Sequence, residues 1–309
     1  MFSVIFPGQG SQSVGMAKDL YNKFSIVKNI FKIADDVLKF PISKIILDGP
    51  ETELNLTKNT QPAIFIVSYS IFSIIKSEFN INLNTAKYFA GHSLGEYSAL
   101  ACSNAIKFED SIKLLNKRGI SMQEAVPIGE GAMLVILGKE VENVEKILID
   151  KNLKDCQIAN DNCPGQLVVS GKTKSIDELN KILKEISVKS IKLPVSAPFH
   201  CSLMEKSTKI MNNEINNTQF NNPLPNIISN VTATEQKDKN TIKKLLIEQI
   251  ENRVRWKESI TYMISNGVRK FIEIGPGKVL TGLVKRIDKT VETLSINNED
   301  DIKKIKIND

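Results

Sequence analysis

The chain has 309 residues, 41% of them apolar and 25% charged, an ordinary balance for a globular protein with a large core. No apolar run approaches the roughly 18 residues of a membrane span, so no membrane partner is expected. Net charge is +6, but Lys303, Lys304 and Lys306 lie in a polar tail and the remaining excess is scattered; this argues against nucleic acid and suits an acidic protein partner.

Phe2–Phe6 is predicted as a first strand. It has no basic segment before it and Pro7-Gly8 stops it at once, so it does not read as a signal peptide, and a cytoplasmic or organelle-matrix protein is expected, cytoplasmic first. Cys102, Cys156, Cys163 and Cys201 have no CxxC spacing and read as free thiols of a reducing compartment. The turn Pro7-Gly8-Gln9-Gly10-Ser11-Gln12 can present backbone N–H groups to an anion. It lacks the glycine spacing of a dinucleotide or P-loop site. Residues 16–39 read as helical, with apolar repeats (Phe24, Val27, Phe31, Ala34, Val37, Leu38). Asp48-Gly49-Pro50 is a turn, and Gln61–Phe79 a strongly apolar core helix.

Tyr88-Phe89-Ala90 then reads as a strand end, Gly91-x-Ser93-x-Gly95 as a nucleophile elbow, and a helix starts at Leu94 and continues through Ala99-Leu100-Ala101. A serine on such a strand-to-helix turn has its hydroxyl pushed out above the sheet, and the helix aims its free N–H groups at any oxyanion forming there. Phe108–Met122 follows as a helix with Leu114, Leu115 and Met122 on one side and Lys113, Lys117 and Arg118 on another.

From about Gly129 the pattern changes. Ala132–Leu137 (strand), Val141–Lys151 (helix), Cys156–Ala159 and Gln166–Ser170 (strands), Ile176–Ile186 (helix) and Val188–Leu193 (strand) spell βαββαβ, a ferredoxin-like unit. Pro127-Ile128-Gly129 and Pro194 punctuate its ends. The expected organisation is a small subdomain, residues 129–194, inserted in a larger α/β subdomain built from 1–128 and 195–309. Beyond the insert, Asn226–Ser229 reads as a strand, Ile242–Gln249 and Trp256–Asn266 as helices, and Lys270–Ile274 as a strand. Gly275-Pro276-Gly277 turns into the helix Val279–Arg286.

A serine hydroxyl needs a base, and the chain has only two histidines. His92 precedes the serine on the turn, so its side chain should point away from the hydroxyl and serve packing or hydrogen bonding. That leaves His200, in Ser196-Ala197-Pro198-Phe199-His200, as the base. Two histidines also make a histidine-rich metal site implausible, and no metal is expected. The orienting carboxylate of a triad is not evident: Asp150, Asp155, Asp161 and Asp177 follow the serine but fall within the insert. The reading is therefore a Ser–His dyad, with a backbone or amide oxygen fixing the His200 tautomer. Arg118, in Leu115-Asn116-Lys117-Arg118-Gly119, could bind a carboxylate bidentately or be an ordinary solvated arginine.

Six ordered motifs carry a resemblance: Phe6-Pro7-Gly8-Gln9-Gly10-Ser11-Gln12, Gly91-His92-Ser93-Leu94-Gly95-Glu96-Tyr97, Lys117-Arg118-Gly119, Asn160-Asp161-Asn162, Ser196-Ala197-Pro198-Phe199-His200 and Glu273-Ile274-Gly275-Pro276-Gly277. Together, from about residue 2 to 290, they resemble the malonyl-CoA:acyl-carrier-protein transacylases of type II fatty-acid synthesis. The resemblance implies an α/β-hydrolase-like large subdomain with the ferredoxin-like insert, and a ping-pong transfer with malonyl-CoA and acyl carrier protein as partners and no metal or redox cofactor. It implies Ser93 as the acylated nucleophile, His200 as the base and Arg118 as the holder of the malonyl carboxylate. It further implies the backbone N–H groups of Gln9 and Leu94 as the oxyanion hole, the main-chain carbonyl of Gln249 as the orienter of His200, Phe199 as the malonyl-selecting form of its loop, and Asn160 and Asn162 as substrate-contacting residues. Cys201 departs from the serine usual there and adds a thiol beside the base. A monomer is expected.

Two rival functions stand beside this one. A serine esterase or thioesterase would use water as the second acceptor; the missing acid and an arginine in a dry pocket speak against it. A non-catalytic module that docks carrier protein is disfavoured because Ser93 and His200 are both present.

Overall fold

The computed structural model describes residues 1–195 and 197–306; Ser196 of the histidine loop, and 307–309 of the expected large subdomain, lie outside the described residues. The strands in chain order are β1 (Phe2–Phe6), β2 (Phe89–Gly91), β3 (Gly131–Leu137), β4 (Cys156–Cys163), β5 (Gln166–Lys172), β6 (Ser190–Lys192), β7 (Ile227–Ile228), β8 (Glu235–Gln236), β9 (Lys270–Ile274) and β10 (Glu292–Ile296). They form two sheets, of order β10-β9-β1-β2-β7-β8 and β4-β5-β3-β6. The architecture is mixed α/β.

In the six-stranded sheet every pairing is parallel except β7 with β8. Its central strand β1 is buried along its whole length, as a strand covered on both faces must be. Val4 and Phe6 join one apolar layer and Ile5 the other, following the two-residue alternation of a strand. The first layer holds the helix Thr57–Ser77, buried nearly all round, which packs on the helix Phe108–Glu124. The second layer centres on Trp256, Ile260, Phe271 and Val284.

The four-stranded sheet is antiparallel throughout. Helices Val141–Asp150 and Thr173–Glu185 cover it through Val144, Leu148, Ile176, Leu179 and Leu183, which form a separate core with Leu134, Ile136 and Val169. The sheet meets the rest of the chain where the end of β4 pairs with the segment at Val254: Val254 N–H donates to Ala159 O at 2.8 Å and Asp161 N–H to Val254 O at 2.9 Å. Among the described residues no helix is long and apolar enough to cross a membrane.

Several expected boundaries are corrected. The helical stretch over 16–39 is two helices, Lys18–Lys23 and Ser25–Leu38, parted at Phe24, whose extended backbone (φ −108°, ψ 122°) breaks the ladder. The apolar repeat runs through the break because Leu20 and Val27 both face the core. The strand expected to end at Ala159 continues to Cys163, since Asn160, Asp161 and Cys163 go on pairing with β5 across two shifts of register. The strands expected over Val188–Leu193 and Asn226–Ser229 shrink to Ser190–Lys192 and Ile227–Ile228.

Candidate active site

Ser93 stands between β2 and the helix Gly95–Cys102, with φ +52°. A left-handed conformation costs a non-glycine residue about 1–3 kcal/mol and persists only where neighbours fix it. Here the Ser93 N–H donates to Asn230 Oδ1 at 2.7 Å, and Asn230 Nδ2 donates in turn to Gly91 O at 2.7 Å. The elbow glycines are steric requirements. A Cβ on Gly91 would stand 1.9 Å from the Gly95 carbonyl, and one on Gly95 2.3 Å from the Phe6 carbonyl oxygen.

The elbow brings Ser93 Oγ to 2.8 Å from His200 Nε2. On the other side of the ring, His200 Nδ1 lies 2.8 Å from the Gln249 carbonyl oxygen. A carbonyl can only accept, so Nδ1 carries the proton and Nε2 is the acceptor facing the Ser93 hydroxyl. Burial, and then the positive field of Arg118, push His200 down from its ordinary 6.5 to about 3. The ring is therefore neutral near pH 7, as a base must be. His92 turns elsewhere: its Nε2 lies 2.9 Å from Asn162 Oδ1, and its ring meets Trp256 edge-on.

Arg118 corrects the sequence reading in one respect. It does not share a face with Lys113 and Lys117; it lies with Leu114, Leu115 and Met122 on the buried face of the helix Phe108–Glu124, only 1% exposed. The spacing is consistent, since 114, 118 and 122 are successive i+4 positions on one stripe. Arg118 Nη1 donates to Gln61 Oε1 at 2.8 Å, and Nη2 to Gln249 Oε1 at 2.9 Å and Ser93 Oγ at 3.1 Å. The guanidinium packs over the Tyr97 ring, and its Nε has no hydrogen-bond partner among the described residues. No carboxylate lies within ion-pair distance of it there.

These groups open into a cavity of about 460 Å³, lined among others by Gln9, Leu94, Phe199 and Asn160. The backbone N–H groups of Gln9 and Leu94 donate to no protein acceptor among the described residues. Gln249 contributes from behind, through its carbonyl to His200 and its side chain to Arg118. Asn162 is not brought to the cavity wall; it reaches the site through His92. Cys201 is buried, its thiol donating to Pro198 O at 3.0 Å, and burial pushes it up to about 11.

Three side chains of the site have no role in the sequence analysis: Gln61, Asn230 and Glu96. Gln61 had a signal, a polar residue within a strongly apolar helix. Asn230 stands just past the end of a strand, where parallel sheets gather their sites. Glu96 is buried at 1% exposure, and Gln249 Nε2 donates to its Oε2 at 2.7 Å.

Residues 3–306 match the family model described as the acyl transferase domain. The chain is 42% identical over 303 residues to the malonyl CoA-acyl carrier protein transacylase of Bacillus subtilis (strain 168), across 96% of this chain and 94% of that one. Among solved structures, an acyl carrier protein S-malonyltransferase from Vibrio cholerae superposes with a TM-score of 0.94 at 40% identity, covering 99% of each chain. A malonyl-transacylase in complex with its type II PKS acyl-carrier protein superposes with a TM-score of 0.93 at 36% identity, covering 98% of this chain and 97% of that one.

Proposed function

The chain belongs to the acyl transferase family, its relatives being malonyl CoA-acyl carrier protein transacylases, and we propose that it moves the malonyl group from malonyl-CoA to the phosphopantetheine thiol of acyl carrier protein. It is an acyltransferase. The observation that carries the substrate reading is Arg118: a buried guanidinium, with no carboxylate in direct contact among the described residues, whose Nη2 lies 3.1 Å from the nucleophile. A cation so placed asks for an acyl group that brings its own carboxylate. Nε, on the same edge of the guanidinium as Nη2, has an unused N–H, and an incoming carboxylate that takes over the Nη2 contact with Ser93 Oγ would meet two parallel donors there.

In the first half-reaction Ser93 Oγ attacks the thioester carbonyl carbon and its proton passes to His200 Nε2. The oxyanion is received by the N–H groups of Gln9 and Leu94, whose support is that both line the cavity with no protein acceptor. Collapse breaks the carbon–sulfur bond, and coenzyme A leaves as a thiol with the proton from Nε2. In the second half the carrier thiol gives its proton to Nε2 and attacks the Ser93 ester, and Ser93 recovers the proton as it leaves. The Gln249 carbonyl holds the ring in the required tautomer where a triad would use a carboxylate. Phe199 and Asn160 shape the cavity wall, and Asn162 acts by fixing His92. No step calls for a metal or a redox cofactor, and the chain is taken to act as a monomer.

The same reading takes 1–128 and 195–309 as an α/β-hydrolase-like subdomain and 129–194 as a ferredoxin-like insert. The strand order β4-β5-β3-β6 and the two helices on that sheet support it. The test is to mix the protein with malonyl-CoA and holo acyl carrier protein and follow both products. Malonyl-carrier thioester should outpace free malonate by orders of magnitude; malonate as the main product would make the chain a hydrolase.

A further inference from the structure

Glu96 lies within the site and the transfer chemistry leaves it unused. Its Oε2 accepts from Gln249 Nε2 at 2.7 Å and from the Asn230 N–H at 3.1 Å. The same Gln249 amide accepts through Oε1 from Arg118 Nη2 at 2.9 Å. An amide held at its nitrogen by a carboxylate and at its oxygen by a guanidinium has one orientation. No direct ion pair joins Glu96 to Arg118 among the described residues, so their charges meet through that amide. Asn230 extends the arrangement to the nucleophile, since its side chain accepts from the Ser93 N–H.

The groups that act on the Glu96 charge are Arg118, from the helix Phe108–Glu124, and Tyr97 beside it on its own helix. Burial pushes Tyr97 up to about 12, so it is neutral near pH 7. Burial likewise pushes the Glu96 carboxyl up to about 7, against the Asn230 and Gln249 hydrogen bonds and the attraction of Arg118.

We propose that Glu96 is a positioning and charge-balancing residue of the acyl pocket: it aims Arg118 through Gln249, and it takes up a proton when the carboxylate of an acyl group settles on Arg118. The inference rests on the malonyl reading above. A second carboxylate on the one guanidinium compensates the cation that favoured ionised Glu96 and adds a like charge nearby, both of which favour the protonated form. Both hydrogen bonds to Glu96 fall on Oε2, so a proton on Oε1 leaves the Gln249 and Asn230 contacts in place.

The experiment uses the full chain with Ser93→Ala, so that ligands bind without turnover. Calorimetric titration of malonyl-CoA and of acetyl-CoA, in buffers of different ionisation enthalpy, gives the protons taken up on binding. Acetyl-CoA carries the same phosphates and no acyl carboxylate, so it is the control. At pH 7.5 malonyl-CoA should take up a substantial fraction of one proton more than acetyl-CoA, and adding Glu96→Gln should abolish the excess. Malonyl-CoA affinity should fall severalfold between pH 6 and pH 8, about tenfold per pH unit at the limit, and acetyl-CoA affinity should not. In the chain with Ser93 restored, Glu96→Gln, whose amide oxygen still accepts from Gln249, should keep the kcat/KM preference for malonyl-CoA over acetyl-CoA, whereas Glu96→Ala should lose it. Equal uptake for the two ligands, or an excess that survives Glu96→Gln, overturns the proposal. So do equal effects of the two Glu96 variants on the preference. Should Glu96→Gln not fold, the malonyl-minus-acetyl excess must still rise as pH passes about 7 and fall again at higher pH, and a flat difference overturns the proposal. Absence of any malonyl-CoA binding removes the proposed function itself, a distinct outcome.

Discussion

Arg118 and Ser93 are in contact: the guanidinium Nη2 lies 3.1 Å from the serine Oγ. A malonyl group has its carboxylate one methylene from the carbonyl under attack, so a cation beside the nucleophile suits that short separation. Leaving a buried ionic partner alone costs about 3–5 kcal/mol. Arg118→Ala should therefore slow malonyl transfer by roughly that amount while leaving acetyl transfer intact or improved, and Arg118→Lys should restore only part, because an ammonium cannot form the fork. Steady-state rates with malonyl-CoA and acetyl-CoA check this; equal losses for both would remove the clamp.

His200→Ala should lose ~10²–10⁴-fold in acylation rate with malonyl-CoA binding retained. His92→Ala should lose less, because His92 contacts Asn162 and Trp256 rather than the hydroxyl. Rapid-quench acylation of the two variants ranks them, and the reverse order would displace His200 as the base.

The buried base and acid give opposite pH signatures. His200 is depressed to about 3 from 6.5, so it is neutral well below pH 6.5 and the stability linked to it, full above 6.5, is lost as pH falls toward 3. Single-turnover acylation at saturating malonyl-CoA should consequently show no limb near pH 6.5; a midpoint there would contradict the buried, neutral ring. Glu96 is raised to about 7 from 4.5, so its contribution is full below 4.5 and lost as pH rises through 7. Glu96→Gln should thus gain on the native protein between pH 5 and pH 8, by on the order of 3 kcal/mol at most. Urea unfolding at the two pH values measures it, and an unchanged difference would refute it.

How much of this was legible in the sequence depends on how local each signal is. The elbow was readable because glycine spacing, a preceding strand and a following helix all lie within a dozen residues. The ferredoxin-like order was readable because its six elements alternate clearly in period. β10 was missed because Glu292, Thr293 and Ser295 give its sequence a polar cast, and only β9 beside it makes a strand of it. β8 has two residues and no pattern to read. Arg118 looked like a surface cation because charge outweighed its i+4 relation to Leu114 and Met122. Gln61, Asn230 and Glu96 come together only when elements distant in sequence pack, and no spacing announces that.

Transfer to carrier protein should weaken with salt, since a +6 chain suits an acidic partner. Lys189, Lys192, Lys285 and Arg286 are the candidate contacts. Lys192 already pairs with Asp177, Lys285 holds Val291 O, and Arg286 holds Gln166 and Pro164 O. Lys189→Glu is therefore the cleanest probe and should raise the KM for carrier protein without changing acylation by malonyl-CoA. A transfer rate indifferent to ionic strength would remove the idea.

The central claim is a malonyl ester on Ser93, and intact-mass spectrometry tests it most directly. Mixed briefly with malonyl-CoA and no carrier protein, the native chain should gain one malonyl mass, the label should map to the peptide containing Ser93, and holo acyl carrier protein should then discharge it. Ser93→Ala should gain nothing. A label that persists in Ser93→Ala, or that maps to Cys201, would contradict the account.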